Sequence, residues 1–131
     1  MKNSFSEGDK EGNIKESNMN ILSVLKIIAA LATAATGLLA LVKPDATYGF
    51  IGLTASGVRG VSEIRAVFGG LFIALGLAPL FLGPTAYRML GIGYLAIAVA
   101  RTFSIFFDRS FAQSNLISLA IEIVFGIILV I

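Results

Sequence analysis

Five charged side chains lie within or at the ends of long apolar segments of this sequence, where charge is costly. They are Glu63, Arg65, Arg101, Asp108 and Glu122. An ionisable group near the centre of a bilayer costs about 2.5–3.5 kcal/mol on insertion scales. Each of these residues therefore needs an oppositely charged partner, a route to the membrane surface, or a function that offsets the cost.

The spacing of these residues predicts a polar stripe on each of three helices. Arg101, Ser104 and Asp108 follow the i, i+3, i+7 pattern of one helix face. Glu122 ends a run of serines at four-residue intervals, and Arg65 precedes a glycine at the same interval. Because lipid would penalise three separate polar stripes, we expect them to converge inside a helical bundle.

Ion pairing is the simplest way to satisfy these charges. We expect Arg101 to pair with Glu122, and Arg65 to pair with Asp108 or Glu63. The guanidinium fork matches a carboxylate in bidentate geometry, which limits the cost of removing both charges from water.

Such a charge cluster has two main interpretations. It could be a structural ion-pair network that fixes which helices meet. It could instead line a pocket for a lipid-like or quinone-like ligand, because charge inside a membrane usually marks function. The apolar walls of that pocket would come from Tyr94, Phe103, Phe106 and Phe107.

Other kinds of chemistry have weaker support. A proton relay through Glu122 remains open, whereas a Mg²⁺ or Ca²⁺ site is disfavoured by the two arginines, so no metal site is predicted. Ser104 has no evident base to activate it as a nucleophile, and Gly69-Gly70 lacks the spacing of a phosphate loop. The chain contains no cysteine and no histidine, so we predict no cofactor and no catalytic residue.

The composition indicates that lipid is the solvent. Of the 131 residues 56% are apolar and 14% are charged, and a soluble domain this small could not bury so much apolar surface. The net charge of +2 from scattered basic residues gives no nucleic-acid-binding surface. Four apolar segments are long enough to cross a bilayer as helices; they cover residues 21–42, 64–82, 86–107 and 112–131.

The fold class predicted from these segments is all-α, an integral membrane bundle of four transmembrane helices. Ser62 resembles an N-cap for the second helix, and Gly83-Pro84 makes a tight turn before the third. Helix two starts, helix three ends and helix four starts on one side of the membrane. We therefore expect all five charges in the half of the bilayer that faces the loop after helix one.

The N-terminal residues 1–20 are polar and of mixed charge, and we predict a disordered tail instead of a cleaved signal peptide. Four crossings place both termini on one side, and the distribution of Lys and Arg slightly favours the cytoplasm of a bacterial inner membrane. Small residues at helical spacing, such as Gly69 and Gly76, predict close packing within the bundle or at a homodimer interface.

Residues 63–71 read E-I-R-A-V-F-G-G-L. This segment resembles the E-x-R-A-x-x-G-G hallmark of bacterial domain-of-unknown-function family 4345. The later Arg101, Asp108, and Glu122 followed by Gly126 also fall where that family carries charged residues and glycine. The resemblance covers roughly residues 21–131. It implies a small four-helix membrane protein, distantly similar in layout to the DoxX-like group, with Gly70 and Gly126 as further packing positions and no established activity.

The sequence thus favours a non-enzymatic membrane protein. It would be either an accessory subunit of a membrane complex or a binder of a small hydrophobic ligand. The alternative is a membrane enzyme or transporter that uses Arg101, Asp108 and Glu122 in a half-membrane cavity.

Overall fold

A computed structural model describes the backbone of residues 5–131 and the side chains of residues 20–131. Within that backbone the chain forms helices and no strand. The elements are α1 (Phe5–Val42), a 3₁₀ helix (Pro44–Thr47), α2 (Tyr48–Ile51), α3 (Gly57–Glu63), a π-helical segment (Ile64–Leu71), α4 (Phe72–Leu82), α5 (Pro84–Phe107) and α6 (Gln113–Val130).

Four of these stretches are long and apolar enough to cross a membrane, as predicted. They are Asn20–Val42, Gly57–Leu82, Pro84–Phe107 and Gln113–Val130. At 1.5 Å per residue they span roughly 27–39 Å, which matches a hydrocarbon core of about 30 Å. Most of their outward side chains are large and apolar, which is the surface that lipid requires.

The second span begins earlier than the sequence indicates. Helix α3 starts at Gly57, whose φ of +77° is accessible to glycine, and it continues without a break into the π-helical segment. Ser62 therefore lies inside a helix, and the prediction that it is an N-cap is wrong. Each residue that joins an existing helix adds one backbone hydrogen bond, so the second span can extend through Gly57–Glu63 without a new nucleation step.

The turn between the second and third spans agrees with the prediction. Gly83 ends α4 with φ +80°, and Pro84 occupies the first turn of α5. Proline is favoured there because its missing amide would have no helical partner. Helices α4 and α5 are consequently neighbours in the bundle.

Helix α1 packs closely against the second span through glycine. A Cβ on Gly37 would lie 2.7 Å from the Ile73 amide nitrogen, and a Cβ on Gly76 would lie 2.5 Å from that of Ala34. Gly69 approaches the Leu41 backbone in the same way, at 3.1 Å. Dispersion across such contacts holds transmembrane helices together where no hydrophobic drive exists between them.

Helices α5 and α6 form a second closely packed pair. A Cβ on Gly91 would lie 2.8 Å from the Leu129 Cβ, and one on Gly126 would lie 2.5 Å from the Leu95 Cδ2. Gly70 is exposed, and a Cβ on it would meet no atom of another helix within 4 Å among residues 20–131. The structure therefore does not bring Gly70 into either packing surface.

A small apolar core joins the two helix pairs. Ala29 and Ala30 of α1 pack in one buried cluster with Leu90 of α5 and Leu129 of α6.

Residues 1–4 lie outside the described backbone, and helix α1 begins at Phe5, before the predicted start near Ile21. The predicted tail of residues 1–20 falls almost wholly in the part without described side chains, and it stays a prediction.

Candidate functional site

Arg101 and Glu122 form the ion pair that the sequence predicts, between α5 and α6. The Arg101 Nε donates to both Glu122 carboxylate oxygens, at 3.0 and 2.8 Å, and Nη2 donates to Oε1 at 2.6 Å. The Glu122 side chain is 10% exposed and that of Arg101 is 29% exposed. The carboxylate is thus enclosed, whereas part of the Arg101 side chain remains open.

Asn115 completes the hydrogen bonding of this pair from the first turn of α6. Its Oδ1 accepts a hydrogen bond from the Arg101 Nη1 at 2.5 Å, and its Nδ2 donates to the backbone and hydroxyl oxygens of Ser110. These contacts fix the amide orientation, because the oxygen must face the arginine and the nitrogen must face Ser110. Asn115 thereby holds the guanidinium from the side opposite the carboxylate.

The other predicted members of the cluster do not join it. Asp108 is exposed at the end of α5 and accepts a hydrogen bond from Ser104 at 2.8 Å. Glu63 and Arg65 are both exposed. Among the side chains of residues 20–131, the predicted pairing of Arg65 with Asp108 or Glu63 is not formed. Arg65 lies at the start of the π-helical segment, where the 3.6-residue period that placed its stripe does not hold.

Tyr94 links α5 to α1 next to the ion pair. Its hydroxyl lies 2.6 Å from the Thr33 Oγ1, and Thr33 itself donates to the Ala29 carbonyl at 2.8 Å. Because the threonine hydroxyl has one hydrogen, Tyr94 must be the donor to Thr33. The tyrosine ring also meets Phe125 edge-on, with centroids 5.5 Å apart.

We expect Tyr94→Phe to weaken the bundle by about 0.6 kcal/mol and by no more than about 1.7 kcal/mol, the mean and the maximum found for hydrogen bonds between membrane helices. The substitution keeps the ring contact with Phe125 and removes the bond to Thr33. Reversible unfolding in bicelles measures the change, with Tyr87→Phe as the matched control. An equal loss of stability in both variants would contradict a specific contribution from the Tyr94 hydroxyl.

A cavity of about 360 Å³ opens beside the ion pair. Its polar side carries the Arg101 guanidinium, the Glu122 carboxylate, and the hydroxyls of Thr36 and Ser118. The remaining wall is apolar and largely aromatic. It consists of Phe50, Ile51, Leu53, Phe68, Phe72, Tyr94 and Ile97.

The loop after α1 contributes one side of this cavity. The short helix α2 supplies Phe50 and Ile51, which also line an adjoining cavity of about 260 Å³ with Arg101, Asn115 and Ser118. Helix α2 therefore lies over the ion pair at the loop-facing end of the bundle. A further apolar cavity of about 70 Å³ shares three wall residues with the main one and extends toward Met89 and Leu90.

The aromatic wall differs from the predicted one. Phe103, Phe106 and Phe107 are 66–76% exposed on the outside of α5, and the Phe103 and Phe107 rings stack with centroids 5.2 Å apart. Of the four predicted aromatic residues, Tyr94 lines the cavity. The three phenylalanines lie near the end of α5, where aromatic rings at the membrane interface anchor a helix.

The site offers little to a cation. Both Glu122 oxygens accept hydrogen bonds from Arg101, whose positive charge lies within 3 Å of them. In the part of the chain with described side chains, no three of Asp, Glu, His or Cys lie close enough to hold a metal ion. The chemistry available in the cavity is therefore hydrogen-bond donation by Arg101 beside an aromatic wall.

The sequence did not lead us to predict that Asn115 binds Arg101 or that helix α2 lies over the ion pair. A signal for Asn115 was available, because it precedes Glu122 by seven residues and so shares its helix face, as Arg101 and Asp108 do on α5. No comparable signal exists for Phe50 and Ile51, since four residues of a glycine-containing loop carry no periodicity that predicts what they cover.

Comparison with protein-family models gives one match. The family described as a domain of unknown function (DUF4345) matches residues 21–131, which include all four membrane-spanning stretches and the ion pair. Neither a curated protein nor a solved structure matches the chain significantly.

Proposed function

We propose that this chain, which belongs to the DUF4345 family, binds a small hydrophobic ligand in the cavity beside the Arg101–Glu122 pair. The family assignment fits a multi-pass membrane protein and carries no activity of its own. The observation that carries the proposal is a cavity of about 360 Å³ that is lined by aromatic residues and by the partly exposed Arg101 side chain. Ligand pockets in proteins are commonly of this size, mostly apolar, with a few polar groups that orient the ligand.

The partial exposure of Arg101 supports ligand binding over a purely structural ion pair. A pair that serves only to join helices is best enclosed on all sides, because every open hydrogen-bond donor in a membrane is costly. Glu122 meets that requirement and Arg101 does not, since 29% of its side chain remains open. An occupant of the cavity would cover the exposed part.

An enzymatic role has less support from the same geometry. Glu122 would be the general base or proton carrier of such a site. Its two oxygens already accept three hydrogen bonds from Arg101. These bonds occupy both of the oxygens with which Glu122 would have to contact a substrate. We place the protein in a cell membrane, with ligand binding as its activity.

Photolabelling of the full chain in lipid nanodiscs tests the proposal. The probe is a decyl alcohol with a diazirine near the end of its chain. We expect saturable labelling of cavity residues such as Phe72 and Ile97, in addition to non-saturable labelling of lipid-facing side chains. Ser118→Phe fills the cavity and should abolish the saturable part.

Ile117→Phe is the matched control. Ile117 is 52% exposed and lies one residue from Ser118 on α6, so the added ring enters lipid and saturable labelling should persist. Labelling that rises linearly with probe concentration in the unmodified chain would refute a binding cavity. So would saturable labelling that Ser118→Phe leaves unchanged.

A further inference from the structure

We infer that the ligand is an uncharged molecule with a carbonyl head group and an apolar tail, oriented with the carbonyl toward Arg101. This inference rests on the proposed function and specifies the chemical class of the ligand. It follows from which hydrogen-bond donors of the site are already in use, from the charge of the site, and from the positions of the adjoining cavities.

The guanidinium has hydrogen-bond capacity to spare. Arg101 carries five N–H hydrogens. One on Nε and one on Nη2 point to Glu122, and one on Nη1 points to Asn115. Within residues 20–131, two of the five hydrogens, one on each terminal nitrogen, are therefore uncommitted. Arg101 lines both the 360 Å³ and the 260 Å³ cavity, so an occupant of either cavity would lie beside the side chain that carries these donors.

Two of the three hydroxyl-bearing side chains that line the main cavity already donate their hydrogens. Thr36 donates its hydrogen to the Ala32 carbonyl at 2.9 Å, and Tyr94 donates to Thr33. An oxygen atom entering the main cavity would thus find its strongest free donors on Arg101, with Ser118 beside it. A carbonyl oxygen, with two lone pairs, suits two N–H groups of one guanidinium.

The charge of the site selects against ions. Arg101 and Glu122 are the charged residues that line the main cavity, and their charges cancel. A carboxylate ligand would lie near Glu122 in a region of low dielectric, and an ammonium ligand would face the guanidinium. Either would place an unbalanced charge in the membrane, whereas a neutral acceptor adds none.

The adjoining cavities give the direction of the tail. The polar 260 Å³ cavity lies toward Ser114 and Asn115 at the loop-facing end of the bundle. The apolar 70 Å³ cavity shares Phe72, Tyr94 and Ile97 with the main one and continues toward Met89. A ligand with its carbonyl at Arg101 would direct a short apolar end away from helix α2.

A panel of diazirine probes with one alkyl chain and different head groups tests this inference in nanodiscs. The heads are a methyl ketone, a methyl ester, a carboxylate, an ammonium and no polar group. We expect both carbonyl probes to bind at least about tenfold more tightly than the bare alkane, since hydrogen bonds to charged groups are the stronger kind. The carboxylate and ammonium probes should bind no more tightly than the alkane.

The same experiment separates sources of the carbonyl and checks the orientation. Tighter binding of the ketone indicates a free carbonyl compound, and tighter binding of the ester indicates an acyl lipid. The terminal diazirine should label Leu75 or Met89. In the Arg101→Leu/Glu122→Leu variant, saturable alkane labelling should remain and the advantage of the carbonyl probes should disappear.

Isotope-edited infrared spectroscopy provides a measurement that needs no variant. The ¹³C=O band of the bound ketone should lie at lower frequency than the band of the same probe in protein-free nanodiscs, because hydrogen bonding to the guanidinium weakens the carbonyl bond. An unshifted band, or tightest binding by the carboxylate, would overturn the inference. Saturable labelling by all five probes with equal affinity would overturn it too and leave the binding cavity itself intact. Absence of saturable labelling by any probe would refute the cavity.

Discussion

Replacing Glu122 with leucine is expected to destabilise the bundle by about 3 kcal/mol, because it leaves the Arg101 guanidinium in the membrane without its counter-ion. The carboxylate accepts three hydrogen bonds from that arginine and is 10% exposed, so neither water nor another described acidic side chain replaces it. The free energy of unfolding in bicelles, from denaturant titration of the full chain, measures the loss.

Glu63→Leu is the matched control for this prediction. Glu63 is another acid on the loop-facing side of the bundle, but it is exposed, and it forms no ion pair among residues 20–131. Its removal should change stability by less than about 0.5 kcal/mol. Equal effects of the two substitutions would show that the Arg101–Glu122 pair contributes nothing specific.

The double variant Arg101→Leu/Glu122→Leu separates stability from function. Replacing a buried ion pair with apolar residues of similar size is often neutral or stabilising, so the double variant should recover most of the 3 kcal/mol or so lost on Glu122→Leu. Exchanging the two residues, Arg101→Glu with Glu122→Arg, should also recover stability. If the leucine double variant folds and keeps saturable alkane labelling but loses the advantage of the carbonyl probes, the pair orients the ligand and is not required for folding.

The fold could be predicted because lipid leaves few alternatives. A backbone in hydrocarbon must satisfy its own hydrogen bonds, and apolar segments of about 20 residues achieve this as helices. The turn at Gly83-Pro84 was equally readable, because proline and glycine act locally. The start of the second span could not be predicted, because the residues from Gly57 to Glu63 form a helix but lack the apolar periodicity that indicates a helix in a sequence.

The site was partly predictable for the same physical reason. Arg101 and Glu122 lie deep in two apolar helices, where an unpaired charge is costly. Each is an oppositely charged partner for the other at a similar depth, so residue type and depth together predict the pair. Asp108 lies at the end of α5, where the membrane surface provides an alternative to pairing, and Arg65 lies in the first half of the second span with an exposed side chain. Burial cost therefore does not determine where their side chains point.

The π-helical segment of residues 64–71 limited the prediction further. Its hydrogen bonds join residues five apart. Side chains on the two sides of the segment therefore point in different directions from those they would have in a continuous α-helix. Phe68 and Phe72 face the cavity, with ring centroids 5.8 Å apart, whereas Arg65 is exposed. The prediction of the polar face that contains Arg65 assumed 3.6 residues per turn and therefore did not include this rotation.

The tightest backbone contact in the bundle gives the second large effect that we expect. Gly76→Ala should destabilise the protein by about 2–3 kcal/mol, the upper range for overpacking. The new Cβ would lie 2.5 Å from the Ala34 amide nitrogen and 2.6 Å from the Ala30 carbonyl oxygen. Both are backbone atoms of α1, so relief requires the two helices to separate, which also loosens the contacts near Gly37 and Gly69.

Gly93→Ala on α5 isolates the steric effect. No atom of the described side chains or backbone lies within 4 Å of the Cβ that this substitution adds. The higher helix propensity of alanine should therefore leave stability unchanged or raise it by up to about 1 kcal/mol. Unfolding of the two variants in the same bicelles therefore should move in opposite directions. Because helix propensity favours alanine at both positions, a similar change in both would mean that α1 and the second span are not held at the close separation that Gly76 permits.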